Sequence, residues 1–158
     1  MGLDMYLMGK KYCGGYDFSD KKEKDTRKMA LKAFGLPEFI EEKGAFVEIS
    51  VRLAYWRKAN AIHGWFVREV QEGKDDCGDY YIEREKLEEL INICETILET
   101  RDPVIALKLL PPVGGFFFGR TEIGEYFFND LQDTIAQLKP ILQDEKFKQF
   151  ELYYHSSW

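Results

Sequence analysis

The sequence predicts an α+β fold: a single compact domain over 1–158, with an antiparallel or mixed sheet packed against three to four helices. Three observations predict it. Apolar residues alternate with a period of two at both ends of the chain and again near residue 50, the mark of half-buried strands. They recur at spacings of three and four over 84–101 and 122–139, the mark of helices with one buried face. No internal repeat, low-complexity tract or linker interrupts these segments.

Taken in order, Leu3, Met5 and Leu7 alternate with Asp4, Tyr6 and Met8 and predict a first strand. It begins almost at the first Met, so a natural terminus is expected. Gly14-Gly15 opens a polar loop. A helix is expected from Asp20 to Phe34, with Ser19 as N-cap, Gly35 as C-terminal cap and Pro37 as stop. Its charged first half, DKKEKDTRK, reads as a solvated face, with an anionic partner as the competing reading.

Over 45–53, Val47, Ile49, Val51 and Leu53 line one side of a second strand. A helix follows from Tyr55 to Val70, with Tyr55, Ala59, Ile62 and Phe66 on its core face. Residues 71–81, QEGKDDCGDYY, form a turn-rich connector ending in a short strand.

Helix 84–101 carries an unbroken apolar stripe through Leu87, Leu90, Ile91, Cys94, Ile97 and Leu98, under a mostly acidic outer face, and Asp102-Pro103 ends it. An apolar, proline-bounded segment (104–112) leads to an extended piece at Phe116–Phe118. A last helix is expected from Glu122 to Lys139, capped by Thr121 and ended or kinked by Pro140. Tyr126, Phe127, Leu131, Ile135 and Leu138 supply its inner face. The tail FKQFELYYHSSW alternates through Phe150, Leu152 and Tyr154 and closes the chain with a strand.

Composition narrows the function classes. With 45% hydrophobic and 32% charged residues, the chain is an ordinary globule. No apolar run approaches the roughly 18–20 residues of a membrane span, and no secretory signal opens the chain, so no membrane association is expected. A net charge of −6 argues against general nucleic-acid binding. Three cysteines, Cys13, Cys77 and Cys94, make no disulfide framework and suit a reduced cytoplasmic setting. Aromatic residues are 15% of the chain, enough for a Phe/Tyr-rich core, for stacking against a flat ligand or for anchoring an interface.

Three segments carry candidate chemistry. On the helix expected over 55–70, Trp56, Asn60, His63 and Val67 stand in one line, with His63 inside the apolar arc and Asn60 at its edge. Such a polar pair must be hydrogen-bonded, either to protein as a structural knot or to a ligand. Gly64 beside it implies that something packs close to the backbone. In GGFFFGRT (114–121), glycines flank three aromatics and lead to a helix start. Gly119, Arg120 and Thr121 there could hold an anion, or form a tight aromatic turn with Arg120 paired to a surface carboxylate. In DDCG (75–78), Cys77 is a nucleophile only if the fold brings His63 to it. Two His and three scattered Cys offer no metal-ligand spacing, so neither a metal nor another cofactor is expected.

MGLDMYL, YWRKANAIHGWFV, DDCGDYY, GGFFFGRTE and YYHSSW resemble a family of small uncharacterised proteins of bacteriophages, prophages and their bacterial hosts. The resemblance spans nearly the whole chain and is weakest around 15–45. It implies an intracellular accessory protein, with counter-defence as a role by association, and brings no activity with it.

The functional expectation is a non-enzymatic binding protein for a small anionic or nucleotide-like ligand, held by Trp56, Asn60, His63, Gly119, Arg120 and Thr121. The second reading is a protein–protein inhibitor of a host enzyme, acting through the acidic helix 84–101 or an aromatic surface. The third is a hydrolase-like enzyme using His63 as general base or Cys77 as nucleophile.

Overall fold

The computed structural model describes residues 2–36 and 46–158. Pro37, expected to stop the first helix, and the first residue of the 45–53 strand lie outside the described residues. The fold is α+β, with a four-stranded antiparallel sheet. In order come β1 (Asp4–Cys13), α1 (Lys21–Ala33), β2 (Val47–Arg57), α2 (Asn60–Glu69), β3 (Asp79–Tyr81), α3 (Arg84–Thr100), α4 (Pro103–Leu109), α5 (Glu125–Gln143) and β4 (Glu151–Ser157). The strands lie in the order β2-β1-β4-β3, and β3 meets β4 with Tyr80 opposite Tyr154. Contacts divide the chain into two compact units, Met1–Gly9 with Arg52–Trp158, and Lys10–Val51.

In the larger unit, Met5 and Leu7 of β1 and Leu3 just before it turn inward, all fully buried, as the alternation predicts. β4 does the same with Leu152, Tyr154 and Ser156. Over this face lie Ile62 and Phe66 of α2, and α3 packs along α5 through stripes that include Leu90, Cys94, Leu131 and Leu138. The Phe66 and Tyr154 rings stack 3.9 Å apart at the centre. Each such side chain contributes roughly 1.5–3 kcal/mol by leaving water. Burial pushes the Cys94 thiol up to about 12, so it behaves as a small apolar core group.

Several local expectations are corrected. The helix expected from Tyr55 begins only at Asn60, and Tyr55 and Trp56 belong to β2. Pairing with β1 overrides the helical spacing here; Lys58 N still donates to Leu3 O at 2.8 Å. Within β2 the alternation slips by one residue. Consecutive Leu53 and Ala54 both reach the core, while Arg52 and Tyr55 both stand on the side of Tyr6.

The segment 104–112, read only as apolar and proline-bounded, contains most of α4. Asp102 caps it by accepting from Val104 N at 2.8 Å, and Pro103 sits at its start, where a missing N–H costs nothing. This makes five α-helices among the described residues, against an expected three to four. Phe116–Phe118 form a turn rather than an extended piece, closed by Phe118 N donating to Gly115 O.

The last helix starts at Glu125 with Gly124 as N-cap, not Thr121, and continues through Pro140 to Gln143. Burial of Ile141 beyond the proline outweighs the lost hydrogen bond. Its inner face uses Thr134 and Ile141, and leaves Tyr126 exposed.

The smaller unit holds α1. Its N-cap is Asp20 rather than Ser19, with the carboxylate accepting from Glu23 N at 2.7 Å, and Gly35 follows the helix at φ +63°. Arg27 is buried on α1, and its guanidinium lies where a Cβ on Gly15 would stand, so Gly15 makes the space for it.

Candidate functional site

The site begins where β2 becomes α2. Lys58 turns the chain with φ +59°, a left-handed conformation that disfavours a side-chain-bearing residue by about 1–2 kcal/mol. Gly119, at φ +91°, lies against it. A Cβ there would meet Lys58 Cβ at 3.1 Å and Lys58 O at 3.2 Å, so the approach requires glycine.

Asn60, the first residue of α2, fastens the two segments. Its Nδ2 donates to Phe118 O at 3.0 Å and to Arg120 O at 2.8 Å, and its Oδ1 accepts from Val113 N at 3.2 Å. The amide is therefore used up inside the protein. It is a positioning group that holds the carbonyls on both sides of Gly119 and so fixes where Arg120 leaves the chain.

Next to this clamp lies a cleft of about 570 Å³. Its walls carry Arg57, Lys58 and Arg120 together with Glu122, Glu125 and Asp130. Among the described residues, neither Lys58 nor Arg120 has a carboxylate within ion-pair distance, and Arg57 reaches only Asp4, at 3.9 Å. The Arg120 guanidinium rests on the Tyr126 ring, 5.1 Å from its centre.

Two helices start at the cleft, α2 with Asn60 and Ala61 in the wall and α5 with Gly124, Glu125, Tyr126 and Phe127. Neither has a side-chain cap, and the first N–H of α2, on Asn60, donates to Lys58 O at 2.9 Å. Burial, with the neighbouring charge of Asp133 second, pushes the Asp130 carboxyl up to about 6.

His63 serves a different structure. Its Nε2 lies 3.0 Å from Asp75 Oδ2 and its Nδ1 lies 2.7 Å from the Tyr154 hydroxyl. A carboxylate only accepts, so Nε2 carries the proton, and in neutral imidazole Nδ1 accepts from Tyr154. Asp75 Oδ1 accepts in turn from Trp158 Nε1 at 3.0 Å. Phe118 presents an edge to His63 at 5.1 Å. His63 is 1% exposed and Tyr154 fully buried. Burial first, and the Asp75 charge second, hold the Tyr154 phenol well above its ordinary range. The result is a hydrogen-bonded chain from buried Tyr154 through His63 to partly exposed Asp75 and Trp158, with both nitrogens of His63 occupied.

Of the six ligand residues read from sequence, the structure brings Asn60, Gly119 and Arg120 to the cleft. Trp56 is buried in β2, its Nε1 donating to Thr134 Oγ1 at 2.9 Å. His63 is taken by Tyr154 and Asp75, and Thr121 is exposed outside the cleft wall. The close packing implied at Gly64 is supplied by Val113, whose Cγ2 lies 2.4 Å from where a Cβ would be.

Sequence reasoning missed Arg57, Lys58 and Asp130. The signal for the first two was RKAN, two basic residues directly before a helix start, hidden because the helix was begun at Tyr55. Asp130 shares the outward side of α5 with Tyr126, one turn earlier, and that spacing could have marked it.

Among the described residues, no group of three or more His, Cys, Asp or Glu is placed to hold a metal ion, and no helix is long and apolar enough to cross a membrane. Compared with protein-family models, curated proteins and solved structures, the chain matches none of them.

Proposed function

We propose that this protein binds a small anionic ligand of the phosphate type in the cleft at the starts of α2 and α5, without chemistry on it. One observation carries the reading: three cationic side chains, Arg57, Lys58 and Arg120, meet two uncapped helix starts in one cleft. Anions are favoured at helix N-termini, and guanidinium groups match phosphate oxygens in pairs. The cleft volume suits a ligand of metabolite size. A nucleotide-like ligand and a counter-defence role in a phage-infected cell fit this chemistry.

Calorimetric titration with inorganic pyrophosphate tests it. Binding to the wild type, weakened about tenfold or more in Arg120→Ala and in Lys58→Ala with melting temperatures unchanged, is the expected result. Equal affinity in all three proteins, or none in any, overturns it.

A protein partner is the second reading, favoured by Phe116, which stands 95% exposed at the tip of the 114–118 turn, and by Val104 and Leu107 exposed on α4. If a lysate pull-down captures a stoichiometric partner that Phe116→Ser and Leu107→Ser both lose, this reading gains at the expense of the first.

A further inference from the structure

We infer that the cleft takes a phosphate ester bearing a hydrogen-bond donor, an amino or hydroxyl group, and that Asp130 receives that donor. This rests on the anion-binding reading above and adds to it the other end of the ligand. The lining is bipolar: the basic Arg57, Lys58 and Arg120 share the cleft with the acidic Glu122, Glu125 and Asp130. A bare anion answers only half of it.

Asp130 is the acidic group that most needs an answer. It is half-buried, and among the described residues its carboxylate has neither a hydrogen bond nor an ion pair. A carboxylate withdrawn from water without a partner is costly and calls for a donor. The described residues do not supply one, although basic groups stand in the same wall.

Position fixes the spacing. Asp130 lies six residues into α5 from the Gly124 cap, about 9 Å along the axis at 1.5 Å per residue. An anion at the helix start and a donor at Asp130 are therefore separated by about the length of a sugar phosphate. Tyr126, one turn before Asp130 and stacked under Arg120, lines the same cleft. Sugar phosphates and nucleoside monophosphates share this chemistry.

The same arrangement predicts a pH dependence. The charged groups that line the cleft with Asp130 are Arg57 and Lys58 at the end of β2, Arg120 and Glu122 from the loop, and Glu125 on α5, and Asp133 on α5 acts on it directly. A carboxyl pushed up to about 6 is mostly ionised at pH 7 and mostly protonated at pH 5, so its acceptor strength is lost over that range. The phosphate of the ester also titrates at about 6, and Asp130→Asn separates the two contributions.

The test is calorimetric titration of the wild type, Asp130→Ala and Asp130→Asn with inorganic phosphate, ribose 5-phosphate and adenosine 5′-monophosphate at pH 7 and pH 5. At pH 7 the esters are expected to bind the wild type about tenfold more tightly than inorganic phosphate, the worth of a hydrogen bond to a charged acceptor. Asp130→Ala should reduce that preference to within about twofold while leaving inorganic phosphate bound at least as well, since a negative charge is removed. Asp130→Asn should flatten the part of the pH dependence that the phosphate itself does not cause. Equal affinity for the two esters assigns the donor to the sugar; tighter binding of the nucleotide assigns it to the base. Esters no tighter than inorganic phosphate, or a preference that survives in Asp130→Ala, overturn the inference while the anion site stands. Failure of all three compounds to bind the wild type removes the anion reading and this inference together.

Discussion

Helix α2 serves two polar clusters, and they differ in one respect that separates structure from function. Around His63, each ring nitrogen has a partner, Asp75 accepts from both His63 and Trp158, and the Tyr154 phenol is sealed from water. Around Asn60, the amide is equally satisfied, but it ends in a wall where Lys58, Arg120 and Asp130 have no counter-charge among the described residues. The first cluster is complete within the chain and needs nothing more. On the proposed reading, the second is completed by a ligand that brings opposite charges to it. A histidine in an aromatic pocket invites a catalytic reading, yet the unpaired groups next door are the ones on which the proposed binding rests.

The comparison can be broken most forcefully at His63. Replacing it by Leu leaves the Tyr154 hydroxyl and the Asp75 carboxylate without their partner, and a loss of about 3 kcal/mol is expected in urea unfolding. Binding at the cleft should survive in whatever fraction stays folded. Tight coupling of ligand affinity to His63 would merge the two clusters and contradict the division.

Asn60→Ala should sharpen the comparison from the other side. It strips hydrogen bonds from Phe118 O, Arg120 O and Val113 N, so about 2 kcal/mol of stability should go, and with it the placement of Arg120. Stability and pyrophosphate affinity should fall together, as measured by denaturation and calorimetry on one preparation.

The smallest expected effect has the opposite sign. The raised Asp130 carboxyl binds its proton more tightly in the folded chain than in the unfolded one. Its protonation therefore favours folding below the ordinary value of 3.8, and that contribution is lost as pH rises through about 6. Asp130→Asn should then stabilise the free protein at pH 7 by about 1 kcal/mol, a figure reduced for the group's partial exposure, and by nothing at pH 3. Melting curves at both pH values check it. Equal melting shifts at the two would mean that charge is not the cause.

Much of the fold was legible because periodicity reports burial directly. Leu3, Met5 and Leu7, the stripe from Leu87 to Ile97, and the tail through Leu152 and Tyr154 all went inward as their spacing demanded. What misled was punctuation whose meaning depends on the partner. Asp102-Pro103 stops one helix and starts the next, since Pro suits a first turn. Pro140 fails to stop α5 because Ile141 is worth burying. Residues 55–57 had helical spacing but were claimed by a neighbouring strand, which moved Trp56 out of the site and hid Lys58. The site was half legible: Asn60, Gly119 and Arg120 stood out as a polar edge and a glycine turn. Asp75 meets His63 across a loop, and Asp130 shares a cleft wall with Lys58 across the fold, so no spacing rule could bring them together.

The central claim, that the starts of α2 and α5 form one anion site, is tested most directly by an amide NMR titration with inorganic phosphate. The account predicts shifts concentrated at Ala61, Ile62 and residues 125–127, saturating with one midpoint, while Asp75 and the Trp158 indole N–H stay still. Shifts centred on the His63 cluster, or none at these helix starts, would contradict it.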